Sequence, residues 1–576
     1  MKKLLKKNDL TIVAGFLVSG ILLTVIQVPV GWSWLAWVAW VPFILVCSPG
    51  VKFRRLAVWG YVVATGYWLG NLYWIGPITW AGWAAFCLYT ALLWPVLIFA
   101  IRFCRAKKVP LFLAVGVLIV GAERLQGLFL GGFFWRFLAH SQYRNITIIQ
   151  IADIFGAVGV SFLIAMVNGL IAELILAARE NNLFKPGQLS KIAVVSVMLV
   201  ATIFYGRWRI EQSQDFVEDG PLVAAVQSNI PQSVKDSSSP EENERVFNDV
   251  VEQSRLAVSA GAELVVWPET IVPAILNTSI LNMLELSHSY NVFDRAIRNH
   301  AREGAYILAG ATGGKPMVKS DGMIELVEKY NSAFLYKDDG TASEKVYSKI
   351  HLVPFGEVVP FKKSAPWLHR ILMGFTPYDF DYTLDAGTEY VVFEMPRETS
   401  QNEQNYRFGV LICYEDVFPA IAREFALDER SEKRVDWLVN ISNDGWFSYF
   451  QDEKVYSASE LAQHAAICVF RAVENRLAIV RSVNTGVSCL IDTVGRMRDG
   501  FEAGNLPAKA MKRQGITGWF ADKMPIDKRV TLFSRYGPWV DRIAVLGLLV
   551  VVVIGLVDQR KQRRKKHEEK CKTGAV

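Results

Sequence analysis

The sequence predicts two architectures in one chain, an α-helical membrane bundle of about eight spans and a globular α/β domain. Three observations carry this. Of the 576 residues, 52% are hydrophobic and 18 are Trp, with a mean hydropathy of +0.24, a composition typical of membrane proteins. Seven apolar runs precede residue 210 and one more lies near the C-terminus. Between them, residues 220–535 alternate strand-like and helix-like segments, the pattern of a packed α/β fold.

The first apolar run, residues 11–30, follows Lys2, Lys3, Lys6 and Lys7. It resembles a signal peptide in its basic start. It is long, however, lacks a convincing small-residue cleavage site and runs straight into further apolar sequence, so it is read as a retained membrane helix. Further spans are expected at 33–48, 56–74, 80–101, 110–128, 150–178 and 190–206, and 33–48 is the shortest. Each approaches the length needed to cross a hydrocarbon layer of about 30 Å. Residues 1–210 thus form a seven-span region, 541–558 a final transmembrane helix and 559–576 a basic cytoplasmic tail.

Charge sets the orientation. With the N-terminus inside, the inside loops carry Lys52, Arg54 and Arg55, then Arg102, Arg105, Lys107 and Lys108, then Arg179, Lys185 and Lys191. The tail carries Arg560, Lys561, Arg563, Arg564, Lys565 and Lys566. That is the positive-inside pattern. It accounts for the net charge of +7 without nucleic acid and puts residues 220–535 outside the cytoplasm. Arg124, Arg136 and Arg144 are the exception, on an outside loop; a solvated or internally paired loop is the reading adopted over contact with lipid phosphates or an acidic substrate. The clusters Trp32, Trp34, Trp37, Trp40 and Trp74, Trp80, Trp83 read as interfacial belts. Seven cysteines, scattered and without CxxC spacing, suggest neither a disulfide framework nor a zinc site.

In the globular region, strands are expected at 222–227, around Val265, and at 306–310, 333–336, 409–412, 437–441, 478–482 and 488–491. Helices are expected at 242–260, 282–302 and 457–474. Three stretches carry chemistry. GVLICYED ends an apolar strand on a thiol, Cys413; ELVVWPET ends one on a carboxylate, Glu269; YSKIHLVPFGE sets Lys349 between a strand-like segment and a Pro/Gly loop. Taken alone, Cys413 fits a buried small hydrophobe better than a nucleophile. Open α/β sheets place ligands beyond strand carboxyl ends, where these three side chains could meet. His351 and His464 read as structural histidines, and Asp416 and Asn443 as turn or cap formers.

The order Glu269, Lys349, Cys413 in these contexts resembles the Glu-Lys-Cys triad of the nitrilase superfamily. HLVPFGE and CYE, together with NDGWF at 443–447 and RSVNTG at 481–486, resemble the membrane-bound apolipoprotein N-acyltransferases, and the similarity covers nearly the whole chain. The resemblance implies a nitrilase-like α-β-β-α sandwich. It also implies a ping-pong N-acylation of the S-diacylglyceryl-cysteine at an apolipoprotein N-terminus. A phospholipid acyl donor would load Cys413 as a thioester, with Glu269 as base and Lys349 as oxyanion donor. Glu357, Glu415 and Tyr414 match supporting positions.

No metal or nucleotide cofactor is implied. The expected partners are the phospholipid donor, the diacylated apolipoprotein acceptor and the lipid bilayer, for a monomer in the bacterial inner (cytoplasmic) membrane with its catalytic domain on the periplasmic side. The sequence departs from the family at Ser233-Val234-Lys235-Asp236-Ser237, where a functional tryptophan usually stands. Apolar loops at 367–375 and 446–450 are expected to flank the cleft and dip into lipid. The alternatives are a membrane-tethered nitrilase-type amide hydrolase and a non-catalytic receptor or transporter. The latter is disfavoured by three competent triad residues and by spans without an obvious repeat or chain of buried charges.

Overall fold

The computed structural model describes residues 7–128, 132–230, 232, 239–318, 324–362, 364–376, 382–397, 405–451 and 454–572. The expected tryptophan position at 233–237 lies outside them. Four described helices are long and apolar enough to cross a membrane, at 80–106, 157–179, 186–216 and 539–569. The first is broken between Ala91 and Leu93. Pro95 causes the break, because its ring clashes with the carbonyl four residues back, which belongs to Ala91. Shorter apolar helices, Lys7–Val25, Phe53–Asn71 and Leu111–Gln126, pack among them.

Several boundaries differ from expectation. Residues 33–48 fold as a 3-10 turn, Ser33–Trp37, and a six-residue helix, Val41–Val46, too short to cross alone. Residues 150–156 form short helical turns ahead of the long helix Ala157–Arg179, separated from it by Gly156 at φ 73°. The last apolar helix and the basic tail are one helix, Trp539–Lys572, because nothing in the tail breaks helical propensity. The aromatic clusters also divide. Trp32, Trp34 and Trp80 are exposed as belts require, whereas Trp40 and Trp74 are buried, packed on Trp94 and on Trp135 and Phe447. The three arginines expected on an outside loop are internally engaged: Arg124 pairs with Asp541 at 3.3 Å, Arg136 donates to Tyr67 Oη and the Leu23 carbonyl, and Arg144 lies over the Tyr143 ring.

The globular part contains strands β1 (Val217–Gln227), β2 (Leu264–Val266), β3 (Val272–Ile275), β4 (Tyr306–Val318), β5 (Ile324–Tyr336), β6 (Ala342–Ser348), β7 (Val392–Met395), β8 (Tyr406–Ile412), β9 (Trp437–Ser442), β10 (Ser448–Gln451), β11 (Lys454–Ser457), β12 (Ala478–Val483), β13 (Cys489–Ile491), β14 (Ala503–Gly504) and β15 (Gly518–Asp527). One sheet has the order β14-β15-β1-β2-β4-β5-β6, with β3 paired to β4; the second runs β13-β12-β9-β8-β7. In the first, Val223, Ala225, Leu264, Val266 and Leu308 share a core with Val410, Ile412, Val439 and Ile441 of the second. The alternate residues Ala224, Val226, Val265, Trp267 and Ile307 pack on the helices Pro240–Ser259 and Ser289–Ala301. This period-two division makes two stacked sheets with helices outside.

Beyond the second sheet lies the helix Ser459–Asn475, buried from Glu460 to Asn475 because it also meets the membrane part. Trp135 Nε1 donates to Gln463 Oε1 at 2.8 Å, Gln463 Nε2 to the Val28 carbonyl at 2.9 Å, and Glu474 accepts from the Ala157 amide at 2.8 Å. Arg476 reaches Asp153, which also binds Tyr205 and Arg209. The domain is therefore seated on the bundle through buried polar contacts whose desolvation demands well-made partners.

Candidate active site

The four parallel-running strands β2, β6, β8 and β9 end on one side of the sandwich, and each delivers a polar group just past its end. Glu269 follows β2, Lys349 follows β6, Cys413 follows β8 and Asn443 follows β9. Lys349 Nζ lies 2.8 Å from Glu357 Oε2 and 3.5 Å from Glu269 Oε1. Glu269 Oε2 accepts the Asn443 backbone N–H at 2.6 Å. The thiol of Cys413 is close enough to feel the charges of Glu269, Lys349, Asp444 and Glu357.

Lys349 and Glu269 are almost wholly enclosed, at 1% and 5% exposure, while Cys413 remains partly open. Burial alone would depress the Lys349 ammonium, but Glu357 and then Glu269 hold it above the usual lysine range. Burial, followed by the Glu269 charge, pushes the Cys413 thiol well up, with Lys349 opposing. The resting group is a neutral thiol beside an ammonium. Three non-glycine residues with left-handed backbone bound this cleft, Thr270 at φ 44°, Phe355 at 63° and Cys413 itself at 51°. Such conformations persist only where surrounding contacts enforce them.

The supporting residues divide by role. Glu357 holds Lys349 and also accepts the Val353 amide at 2.8 Å, closing the loop that carries it. Glu415 is engaged on all sides: one oxygen accepts from the Ile350 and His351 amides, the other from the Ile412 amide and the Tyr347 hydroxyl. It splices the strand end bearing Lys349 to the one bearing Cys413. Tyr414 donates to the Gly132 carbonyl at 2.9 Å and stacks on Trp135, tying the cysteine turn to the membrane part.

Asn331 was not singled out in the sequence. Its Nδ2 donates to Glu269 Oε1 at 2.6 Å and to Glu357 Oε1 at 3.0 Å, and its backbone carbonyl accepts the Lys349 amide. The available signal is an Asn inside a β run, where it is disfavoured unless something needs its amide. Asn443 caps its turn as expected, accepting from Gly445 N, and adds the backbone donor to Glu269. Asp416 lies in the turn Cys413–Val417 and His464 is a buried, hydrogen-bonded histidine, as expected, and beyond that the two share a buried cluster with Asp444, Glu460 and Arg481. Ligand atoms of Asp444, Glu460 and His464 lie within 4.8 Å of one another, a spacing a metal could use, but Arg481 already brings positive charge to this cluster.

The helix Pro366–Met373 exposes Trp367 and Ile371, and the Phe375 carbonyl accepts Thr79 Oγ1 at 2.9 Å, so this apolar loop is latched to the bundle. Phe447 instead packs edge-on against Trp74 at 4.8 Å, held inward rather than free.

Residues 222–502 match the family model described as carbon-nitrogen hydrolase, which gives the class of the sandwich. Residues 19–170 match the apolipoprotein N-acyltransferase N-terminal domain. The apolipoprotein N-acyltransferase of Geobacter metallireducens is 33% identical over 559 residues, spanning 93% of this chain and 94% of that protein. That of Chlorobaculum tepidum is 26% identical over 434 residues, 73% of this chain and 72% of its own. The chain belongs to the apolipoprotein N-acyltransferase family. Among solved structures, an amidase from Nesterenkonia sp. aligns with 54% of this chain and 92% of its own at 15% identity and a TM-score of 0.33.

Proposed function

We propose that this protein transfers an acyl chain from a phospholipid to the α-amine of a diacylated apolipoprotein cysteine, through a thioester on Cys413. The observation that carries the reading is the meeting of Glu269, Lys349 and the Cys413 turn in one cleft seated on an apolar helical bundle. In this reading the chain crosses the inner membrane eight times, the 3-10 turn and short helix of 33–48 together making the second crossing, with the cleft on the periplasmic side; the distribution of Lys and Arg supports this.

In the first half-reaction Glu269 takes the thiol proton as sulfur attacks the donor ester, and the Lys349 ammonium faces the developing oxyanion. The raised thiol supports proton removal during attack over a preformed thiolate. Collapse releases lysophospholipid, which takes the proton from Glu269. In the second, the acceptor amine attacks the thioester, gives a proton to Glu269, and the thiol returns as the amide leaves. Glu357 and Asn331 keep Lys349 and Glu269 oriented, and the exposed apolar loop around Trp367 fits contact with lipid. The protein acts as a monomer in this scheme.

The test is incubation of the purified protein with acyl-labelled phospholipid. A hydroxylamine-sensitive label on wild type, absent from Cys413→Ala and discharged onto a synthetic diacylated lipopeptide, is the expected result. Release of the label chiefly as free fatty acid in the presence of lipopeptide would favour hydrolysis and overturn the transfer reading.

A further inference from the structure

The mechanism leaves unused a group of five ionisable side chains sealed behind the cleft. His464, 2% exposed, has Nε2 2.7 Å from Asp416 Oδ1 and Nδ1 3.2 Å from Asp444 Oδ1. Glu460 Oε1 stands 3.6 Å from the same Nδ1, and Arg481 Nη1 holds the other oxygen of Asp416. Carboxylates only accept, so two carboxylate partners require both ring nitrogens to donate, which makes the ring an imidazolium. Burial works against that charge, but Asp416 and Asp444 raise His464 to about 10. Burial, then the Asp444 charge, pushes the Glu460 carboxyl far up.

What the bridge joins matters more than its charge. Asp416 lies three residues after Cys413, in the 3-10 turn Cys413–Val417 that the left-handed cysteine opens. Asp444 directly follows Asn443, whose backbone N–H holds Glu269 Oε2, and Ser442 Oγ fixes Asp444 at 2.7 Å. We infer that His464 is a positioning residue for the Cys413–Glu269 pair, bridging through its two ring nitrogens the turn after β8 to the turn after β9. It is enclosed and touches no substrate. Its hydrogen bonds set how far the sulfur stands from the amide that aims the base. Trp135, whose ring centre is 5.7 Å from that of His464, donates to the neighbouring Gln463, so the membrane part rests on the same helix.

This inference rests on the transfer reading for its kinetic arm, and an independent chemical arm keeps the two separable. Three full-length variants in detergent or nanodiscs are compared: H464Q, H464Q/D444N and H464L/D444N. The readouts are kcat and KM for acyl transfer, the iodoacetamide alkylation rate at the Cys413 peptide by mass spectrometry, and the thermal midpoint. H464Q keeps one bond and loses the other, and is expected to lower kcat by about 30-fold, equivalent to one lost charge-assisted hydrogen bond, with KM within about twofold. In H464Q/D444N two amides re-form the bridge with charge balance kept, so kcat and alkylation return toward wild type. H464L/D444N keeps the balance without the bridge, and stays slow although folded. If H464Q does not fold, the comparison of the two double variants decides. Wild-type kcat and alkylation in H464L/D444N, or no recovery in H464Q/D444N relative to it, overturns the inference. Absence of acyl transfer in wild type would instead sink the functional reading, while the alkylation rates still decide the positioning role.

Discussion

Asn331→Ala is the substitution that most directly probes how the acid and the amine are held. The side chain gives two hydrogen bonds to carboxylates, at 2.6 Å to Glu269 and 3.0 Å to Glu357. Bonds to charged groups are each worth about 1.5–3 kcal/mol. Lys349 remains near both acids and recovers part of the loss, so about 2 kcal/mol is expected from the transition state, or roughly a 30-fold fall in kcat/KM. Asn331→Asp should be worse. It sets three carboxylates around one ammonium, and a like-charge contact near 4 Å costs about 4 kcal/mol at an effective dielectric of 20. The assay is donor-dependent transfer of a labelled acyl chain to lipopeptide, with single-turnover formation of the hydroxylamine-sensitive label to isolate the first half-reaction. An Asn331→Ala enzyme within about threefold of wild type in both would refute the claim that this amide orients Glu269.

Gly310→Ala should damage the site from behind, because a Cβ there would stand 2.3 Å from the Pro268 carbonyl and 2.8 Å from Glu269 Cα, both backbone; the shift needed to relieve this, up to ~1 Å, should lower kcat by up to about 100-fold, against a stability loss of about 1–3 kcal/mol by thermal unfolding. Protonated His464 supplies stability that is fully present below its ordinary 6.5 and is lost as pH rises through about 10; the wild-type thermal midpoint should fall across that window, and that of H464Q/D444N should fall less. Trp367→Asp, at a side chain 66% exposed, should raise KM for phospholipid in vesicles while leaving the thermal midpoint within a few degrees, and unchanged KM would count against lipid contact by this helix. Glu415→Gln keeps the volume but replaces one acceptor oxygen by a donor facing backbone amides, and should cost about 1–3 kcal/mol of stability together with most activity, read by unfolding and label formation in parallel.

Local patterns made much of this molecule readable. Apolar strands that stop at Glu269 and Cys413 showed where polar groups leave the sheet, and β8 and β9 lie within a few residues of the expected 409–412 and 437–441. Pairing partners were less legible. Strand β15, ten residues with a proline and three charged residues, was not expected, yet it pairs along the whole of β1. Its apolar alternation is diluted by Asp522, Lys523 and Asp527, and only the neighbouring strand gives it a reason to extend. Strands β4 and β5 run eight or nine residues past the expected ends for a similar reason, stabilised by one another as a long antiparallel ribbon. In the bundle, residues 33–48 have membrane composition, but helix length depends on packing, and Pro42 and the surrounding tryptophans divide the run.

By itself the sequence predicted the two-part architecture, because burial of apolar residues is written in short stretches, and its resemblance to a family pointed to an acid, an amine and a thiol as candidates. Only the tertiary structure decided that Asn331 holds two of those side chains, that Glu415 joins two strand ends and that His464 ties the cysteine turn to the turn that aims Glu269. These are contacts between residues tens or hundreds of positions apart. They depend on where folded backbones come to rest, which no local pattern encodes.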